Sequence, residues 1–420
     1  MEFFSMPYGN GRIDLPMPDV LSHQVIYPPL DEEEADEGEI VAYGLAHLIG
    51  GQSLEEIFRP GQKVCVILSD ITRLWQRMWI YLPILIDHLN ALGIPDEAIT
   101  LLCATGTHRS QSPEEHAQLL GPLAQRFKLF DHDCHHDEMV YYGVTSYGTP
   151  VRINALAARA DHIVLTGGIT QHDLAGFGGG RKSILPGIAA YDSIMHNHGL
   201  ALDASLKSLS HVDNNPIHED MLEAARMVKP SFLLNVVVKN HRIVHAVAGD
   251  FQLAHERGQA LHLAANAIEL SAPADQLVVS AGGFPKDINF YQGTKAITNT
   301  IPLLKARGKL FFFCQCLEGL GDEDMRHMFC HLQDTASRKA YLKADFTVAK
   351  YIAYSLSVLC DSYDLVLITD ASPALFTRLN IGVYSPAELD NILPEMTDPT
   401  KKTYWIPESS SYFLLKSPDA

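Results

Sequence analysis

Short apolar runs bounded by turn residues recur along the chain, each followed by a longer amphipathic stretch, and this alternation admits little besides a parallel α/β sheet. The runs Lys63–Ser69, Thr100–Gly106, His162–Gly168, Gln276–Gly282, Lys309–Cys316 and Leu365–Asp370 read as strands. Helices are predicted over Trp79–Leu92, Pro113–Phe127, His218–Val228, Phe251–Leu270, Thr294–Ala306 and Ala336–Leu359. Two segments depart from this rhythm. Asn240-His241 splits two β-branched runs, and Gly9-Asn10-Gly11 separates two extended segments, so each predicts a hairpin.

A chain of 420 residues exceeds a single hydrophobic core, which predicts two domains. Ser271-Ala272-Pro273-Ala274 is a polar break with a helix-incompatible proline, and the boundary is placed there. The expectation is an α/β protein with mainly parallel, Rossmann-like sheets and an active-site cleft between a larger domain, 1–270, and a smaller one, 275–397. The tail from about 398 to 420 is expected to pack back on the first domain.

A formal charge of −18 opposes nucleic acid and anionic membrane as partners, so an anionic substrate must be held by local positive charge. No apolar run is long enough to span a bilayer and Met1-Glu2-Phe3-Phe4 lacks a basic start, which together predict a cytoplasmic protein. The seven cysteines form no C-x-x-C pair and several sit in apolar runs, so they read as buried, reduced thiols. The acidic run Asp31–Glu39 suits either a helix start or a solvated loop. His132, His135 and His136 lack zinc-type spacing and read as an exposed loop.

The segment Gly167–Gly187, directly after an apolar strand, concentrates glycines with His172, Arg181 and Lys182. Glycine at this density lets backbone N–H groups approach a ligand closely. It is neither standard phosphate motif. A P-loop needs glycine where Arg181 stands before Lys182, and a Rossmann fingerprint starting at Gly176 needs glycine or alanine at the same position.

The order His172, Ala175-Gly176-Phe177, Gly178-Gly179-Gly180, Lys182 and Pro186-Gly187 closely resembles the signature of the lactate racemase family. Cys103–His108 is similar to that family's A-x-G-x-H segment, Ser69–Arg73 to its D-x-T-R segment and Asn197-His198 to its N-H pair. Gly282–Lys295 resembles its G-G-x-P-K-D-x-N block, and the likeness covers most of residues 60–320. The resemblance implies a nickel-pincer nucleotide, a pyridinium mononucleotide gripping Ni(II) by two sulfurs and a ring carbon and tethered to Lys182. His198 would be the nickel ligand, His108 and His172 the catalytic histidines, and Asp70, Gly178, Gly179, Gly180 and Arg181 the cofactor's neighbours. Arg73, Tyr291, Gln292 and Lys295 would bind the substrate carboxylate.

The implied reaction is racemisation or epimerisation at C2 of a 2-hydroxycarboxylate. Hydride leaves C2 for the cofactor and returns to the opposite face of a planar 2-oxoacid, while the two histidines exchange the hydroxyl proton. Cofactor-synthesis enzymes are then partners in maturation. One imidazole plus three in-plane cofactor donors fits the square-planar preference of Ni(II). Arg73, His108 and His172 each lie just past a predicted strand's carboxyl end, where open α/β sheets gather ligands.

After Arg73 comes Leu74-Trp75-Gln76, where lactate racemases tend to have proline-containing sequence, so Trp75 either packs in a core or reshapes the pocket. Lactate and a larger or sugar-derived 2-hydroxyacid fit equally. Two rivals remain: a homologue that keeps the fold without cofactor and serves binding or regulation, and a phosphotransferase, which ATP binding with magnesium would reveal.

Overall fold

Each short apolar run becomes a strand shielded on both faces, as helices flanking a parallel sheet demand. Val64–Ser69, for example, is buried from its first residue to its fifth. The structure is a computed structural model and describes residues 2–27, 35–202, 212–270, 272–408 and 413–416. Residues 31–34 of the acidic run, Ser271 of the expected boundary, and 409–412 and 417–420 of the tail lie outside the described residues. Of the acidic run, Asp36 caps the helix Glu37–Ala46, accepting from the Glu39 amide, with Glu37 and Glu39 in its first turn.

The chain divides into two compact units, 31–265 and 1–30 with 266–420. The first has a six-stranded sheet in the order Arg242–Gly249, Phe232–Lys239, His162–Ile169, Val64–Ser69, Ile99–Ala104, Leu129–Asp131. All neighbours are parallel except the first pair, the hairpin turning at Asn240 and His241, both at positive φ. Strand order reverses between Val64–Ser69 and His162–Ile169, because the chain runs outward to Leu129–Asp131 before returning to the other side of Val64–Ser69.

The second unit has its own six-stranded, all-parallel sheet in the order Ile381–Tyr384, Asp364–Ile368, Leu304–Phe313, Ala274–Ser280, Thr403–Ile406, His23–Val25. The domain assignment of both termini is thereby corrected. Residues 1–30, expected in the first domain, belong to this unit, and so does the tail, whose Thr403–Ile406 pairs with Ala274–Ser280 and His23–Val25. The N-terminal hairpin Glu2–Tyr8 with Gly11–Met17 is held there as well: the Gly9 amide donates to Asp287 Oδ2 at 2.6 Å and Ser280 Oγ to the Pro7 carbonyl at 2.6 Å. A three-residue edge strand leaves no periodic signal, which is why this placement is invisible in the sequence.

Three predicted helices need trimming. Leu253–Asn266 stops where Ala267–Leu270 becomes a strand, Phe290–Thr300 gives way to a strand from Leu304, and the stretch Ala336–Leu359 is two helices, Thr335–Ala344 and Val348–Ser362. No helix among the described residues is long and apolar enough to cross a membrane. All seven cysteines are free, and only Cys330 is not buried.

Trp405 is fully buried in the second unit, edge-on to Phe4 at 5.8 Å and donating its indole N–H to His23 Nδ1 at 3.1 Å. Trp405→Ala is expected to cost about 3–5 kcal/mol in urea denaturation. Hydrogen exchange should then show protection falling in Ala274–Ser280 and not in Val64–Ser69, whereas an equal loss in both would contradict the assignment of the tail.

Candidate functional site

Open parallel sheets collect ligands at the strand carboxyl ends where strand order reverses, and the predicted residues of the first unit lie there. Asp70 follows Val64–Ser69 and caps the 3-10 helix Ile71–Gln76, accepting from the Thr72 amide at 2.9 Å. From beyond the neighbouring strand Ile99–Ala104, His108 presents Nδ1 to Asp70 Oδ2 in a short hydrogen bond. Burial pushes the Asp70 carboxyl up, but the bonds from His108 and Thr72 outweigh it and hold the group below the usual carboxylate range. An ionised Asp70 accepts, so Nδ1 of His108 carries the proton and Nε2 keeps its lone pair.

Gln111, which the sequence did not single out, braces this pair. Its Oε1 accepts from the Ile71 amide at 2.6 Å, while its own amide and Nε2 donate to Asp131 at 2.8 and 3.0 Å. Arg73 sits in the same 3-10 helix, partly buried, with Nη1 donating to Thr72 Oγ1 at 3.0 Å.

Beyond His162–Ile169 the glycine segment folds back on itself, Gln171–His172 pairing with Gly176–Phe177. Nδ1 of His172 accepts from the Leu174 amide at 3.1 Å, so the neutral ring carries its proton on Nε2. Burial holds His172 well below the usual imidazole range, and the charges of Lys182 and Arg73 push the same way. The two histidines therefore rest as opposite tautomers, one exposing a lone pair and the other an N–H.

Close approach is what the glycines permit. Gly180 has φ +54° and a Cβ there would lie 2.6 Å from the His255 ring; its amide donates to Asn235 Oδ1 at 2.9 Å. His255 in turn bonds through Nε2 to the Gly178 carbonyl at 2.9 Å and through Nδ1 to Gln259. Asn235 could have been suspected as a polar residue inside an apolar strand; His255 carries no such signal.

Arg181 is fully buried, with Nη2 donating to the Ala175 carbonyl at 2.5 Å and Nε and Nη1 unpartnered. Burial lowers its pKa to about 9. Beside it, Lys182 is partly buried; burial, then the charges of Arg181 and Arg73, hold its amine well below the usual lysine range against the opposing pull of Asp173. That favours a neutral, nucleophilic amine.

His198 lies on the helix Tyr191–Gly199, buried, with Nδ1 bonded to the Ile194 carbonyl at 3.0 Å. Burial, then the Lys182 charge, lowers its pKa to about 4. Nδ1–H is thus the donor and Nε2 is left unprotonated, the form in which imidazole binds a metal. Among the described residues no three His, Cys, Asp or Glu side chains gather as a metal site. A glycine-dense turn, a lysine whose amine lies well below its usual range, two unpartnered guanidinium nitrogens and a metal-ready imidazole together fit a lysine-tethered, anionic, metal-carrying nucleotide.

Tyr291, Gln292 and Lys295 belong to the second unit, on the helix Phe290–Thr300, whose N-cap Asn289 accepts from the Gln292 amide at 2.9 Å. Their spacing places them on neighbouring positions of one face. Gln292 and Lys295 are exposed; burial, then the Asp322 charge, raises the Tyr291 hydroxyl.

One expectation is overturned. His132 is not in an exposed loop but buried, its Nε2 donating to the Ala189 carbonyl at 2.9 Å and its Nδ1 accepting from Asn154 at 3.1 Å. It turns inward immediately after the strand Leu129–Asp131 and fastens it to the segment after the glycine loop. His135 and His136 are exposed as expected. Trp75 is partly buried, its ring 3.2 Å from where a Cβ on Gly168 would stand, so it packs against the start of the glycine segment.

Residues 8–209 match the lactate racemase N-terminal domain family and residues 270–389 the lactate racemase C-terminal domain family. The chain is 33% identical over 340 residues to a lactate racemase of Thermoanaerobacterium thermosaccharolyticum, covering 80% of this chain and 79% of that protein. It is 34% identical over 302 residues to one of Lactiplantibacillus plantarum, covering 71% and 70%. The structure of the lactate racemase apoprotein from T. thermosaccharolyticum resembles it with a TM-score of 0.85 at 28% identity, over 99% of this chain and 100% of that one. A Thermotoga maritima protein shares the fold with a TM-score of 0.65 at 20% identity, over 92% of this chain and 100% of that one.

Burial makes the histidines behind the glycine loop hard to charge: His218 and His255 are lowered to about 3 and His262 to about 4. Below the unfolded value of about 6.5 the unfolded chain binds protons that the folded one refuses, so stability must fall as pH drops from 6.5 toward 4. The slope is up to about 1.4 kcal/mol per pH unit for each such histidine. Urea denaturation of the cofactor-free protein between pH 4.5 and 7.5 measures it, and His255→Gln should flatten the curve. A profile already flat in the unmodified protein would contradict the neutral assignments.

Proposed function

The chain belongs to the lactate racemase family, and from that membership we propose that it is a hydroxyacid racemase inverting the C2 centre of a 2-hydroxycarboxylate, with a nickel-pincer nucleotide carried on Lys182. The observation that supports this most is the Lys182 amine itself, on the glycine segment beside His172 and Arg73, with burial pulling it well below the usual lysine range. When bound, that cofactor supplies the two-electron acceptor that breaking a C2–H bond requires. Lys182 would tether it, His198 would offer Nε2 to nickel, and Arg181 with its two unpartnered nitrogens would stand beside its anionic groups.

The chain's own part in the chemistry is proton handling and orientation. His108, with Nδ1 committed to Asp70, takes the substrate hydroxyl proton at Nε2, and the carboxylate steadies the imidazolium that forms. His172, neutral with its proton on Nε2, can offer a hydrogen bond to the substrate oxygen, and it takes the base's part for the opposite enantiomer only in the other tautomer, with Nε2 free. Arg73 offers a planar two-donor contact for a carboxylate. Tyr291, Gln292 and Lys295 are assigned to the substrate by their family positions.

Lactate is the first substrate to test, since the curated relatives carry that name; Trp75 against Gly168 is the feature that would favour a different 2-hydroxyacid. Protein produced beside cofactor-synthesis enzymes is expected to gain the cofactor mass. Lys182→Ala is expected to gain none while melting like the parent, and a mutant that still carries the mass would remove the attachment site. In loaded enzyme, Arg73→Ala and Lys295→Ala should each cost about 1.5–3 kcal/mol in kcat/KM across a 2-hydroxyacid panel. Arg73→Lys should not restore the loss, because a point charge cannot reproduce the two-donor contact. Unchanged kcat/KM in both alanine variants would end the carboxylate assignment.

A further inference from the structure

The helix that carries His198 is fastened by a carboxylate that no ion pair explains. Asp220, on the helix Pro216–Val228, is fully buried, and its two oxygens accept three neutral donors: Thr145 Oγ1 at 2.5 Å, Thr149 Oγ1 at 2.7 Å and Asn197 Nδ2 at 2.7 Å. The threonines flank the turn between the strands Met139–Val144 and Pro150–Asn154, and Asn197 is the residue immediately before His198. Burying a carboxylate is expensive unless hydrogen bonds satisfy it, so a packing role alone would be better served by an apolar side chain. An isosteric amide could not substitute. Asn at 220 would accept on one oxygen only and would turn its NH2 toward donors.

Asn197 is held in one orientation as a result. Its Nδ2 spans Asp220 and the Ile217 carbonyl at 3.2 Å, while its buried Oδ1 finds no partner among the described residues. Successive side chains on an α-helix are about 100° apart, following from 3.6 residues per turn. Locking Asn197 toward Asp220 therefore fixes the azimuth of His198, and the bond from His198 Nδ1 to Ile194 fixes its ring, leaving Nε2 presented in one direction. Around this centre the turn is tied to the same helix again, through Ser146 to Glu223 and Tyr147 to Glu219.

We propose that Asp220 is a positioning residue for the metal ligand: acting through Asn197, it sets the rotation of the helix so that His198 Nε2 meets the nickel of the bound cofactor. The inference rests on the reading of His198 as that ligand. Outer partners of metal ligands typically alter metal affinity by 10–100-fold. In holoenzyme carrying full covalent cofactor mass, Asp220→Asn should lose nickel to a chelator at least about tenfold faster than the parent.

Asn197→Ala should do the same, and the double variant should be no worse than Asn197→Ala alone, because one pathway is being cut twice. Nickel loss at the parental rate in Asp220→Asn, or effects of the two substitutions that multiply, would overturn the proposal. Should Asp220→Asn fold poorly, Asn197→Ala carries the test by itself, since it leaves both threonine bonds to Asp220 intact; parental nickel retention there overturns the proposal equally. His198→Ala separates the two layers. If it too retains nickel like the parent, the ligand reading fails; if it loses nickel while the other variants do not, only the positioning role of Asp220 fails.

Discussion

Parallel pairing of Val64–Ser69 with Ile99–Ala104 on one side and His162–Ile169 on the other is the constraint on which the candidate site depends. Three parallel neighbours end on the same edge of the sheet, so the segments that leave them emerge together although they are separated by up to about a hundred residues in the chain. Because strand order reverses at the middle of this trio, the outgoing segments diverge to opposite faces and leave room at the edge. Asp70 and Arg73, His108, and the glycine segment with His172 and Lys182 are thereby brought to one place. Loops of this kind carry chemistry on a rigid support.

The polar groups behind that edge form an unusual electrostatic setting. Arg181 is buried and loses solvation, and Lys182 beside it is partly buried, with burial and the Arg181 and Arg73 charges outweighing the pull of Asp173. Several buried histidines nearby are kept neutral by the same lack of solvent, and the cationic neighbours reinforce it. The positive charges of Arg181 and Arg73 gathered here favour an anionic ligand on arrival, in a chain whose overall charge is −18. Asp70 is the exception, and its charge is answered by His108 and Thr72. Burial here creates reactivity by withholding solvation, and hydrogen bonds decide which nitrogen of each imidazole faces outward.

Much of this was legible before any coordinates. The alternation of apolar runs gave the α/β class and the core of both sheets to within a few residues, since burial on both faces imposes short, continuous hydrophobic strands. The turns at Gly9-Asn10-Gly11 and Asn240-His241 announced their hairpins through residues that tolerate positive φ. The resemblance to lactate racemase motifs drew attention to Asp70, Arg73, His108, His172, Lys182 and His198. The edge strand His23–Val25 and the final strand Thr403–Ile406 were assigned to the wrong unit, because a three- or four-residue strand is defined by its partner and not by its own pattern. His132 was misjudged for a related reason: local polarity said loop, while the fold turned the side chain inward and satisfied both ring nitrogens.

The sequence by itself determined the α/β class, the main strands and which residues stand in motifs similar to the family's, because periodicity, turn chemistry and motif order are local properties. Only the tertiary structure decided what state those residues are in. That Gln111 braces Asp70 and His108, that Gly180 needs its bare Cα because His255 stands against it, and that Asp220 reaches Asn197 across 23 residues are all contacts between segments distant in the chain. Tautomer and pKa follow from such contacts, since a proton's position depends on which donors and acceptors the fold brings within hydrogen-bonding distance and on how much water it leaves there.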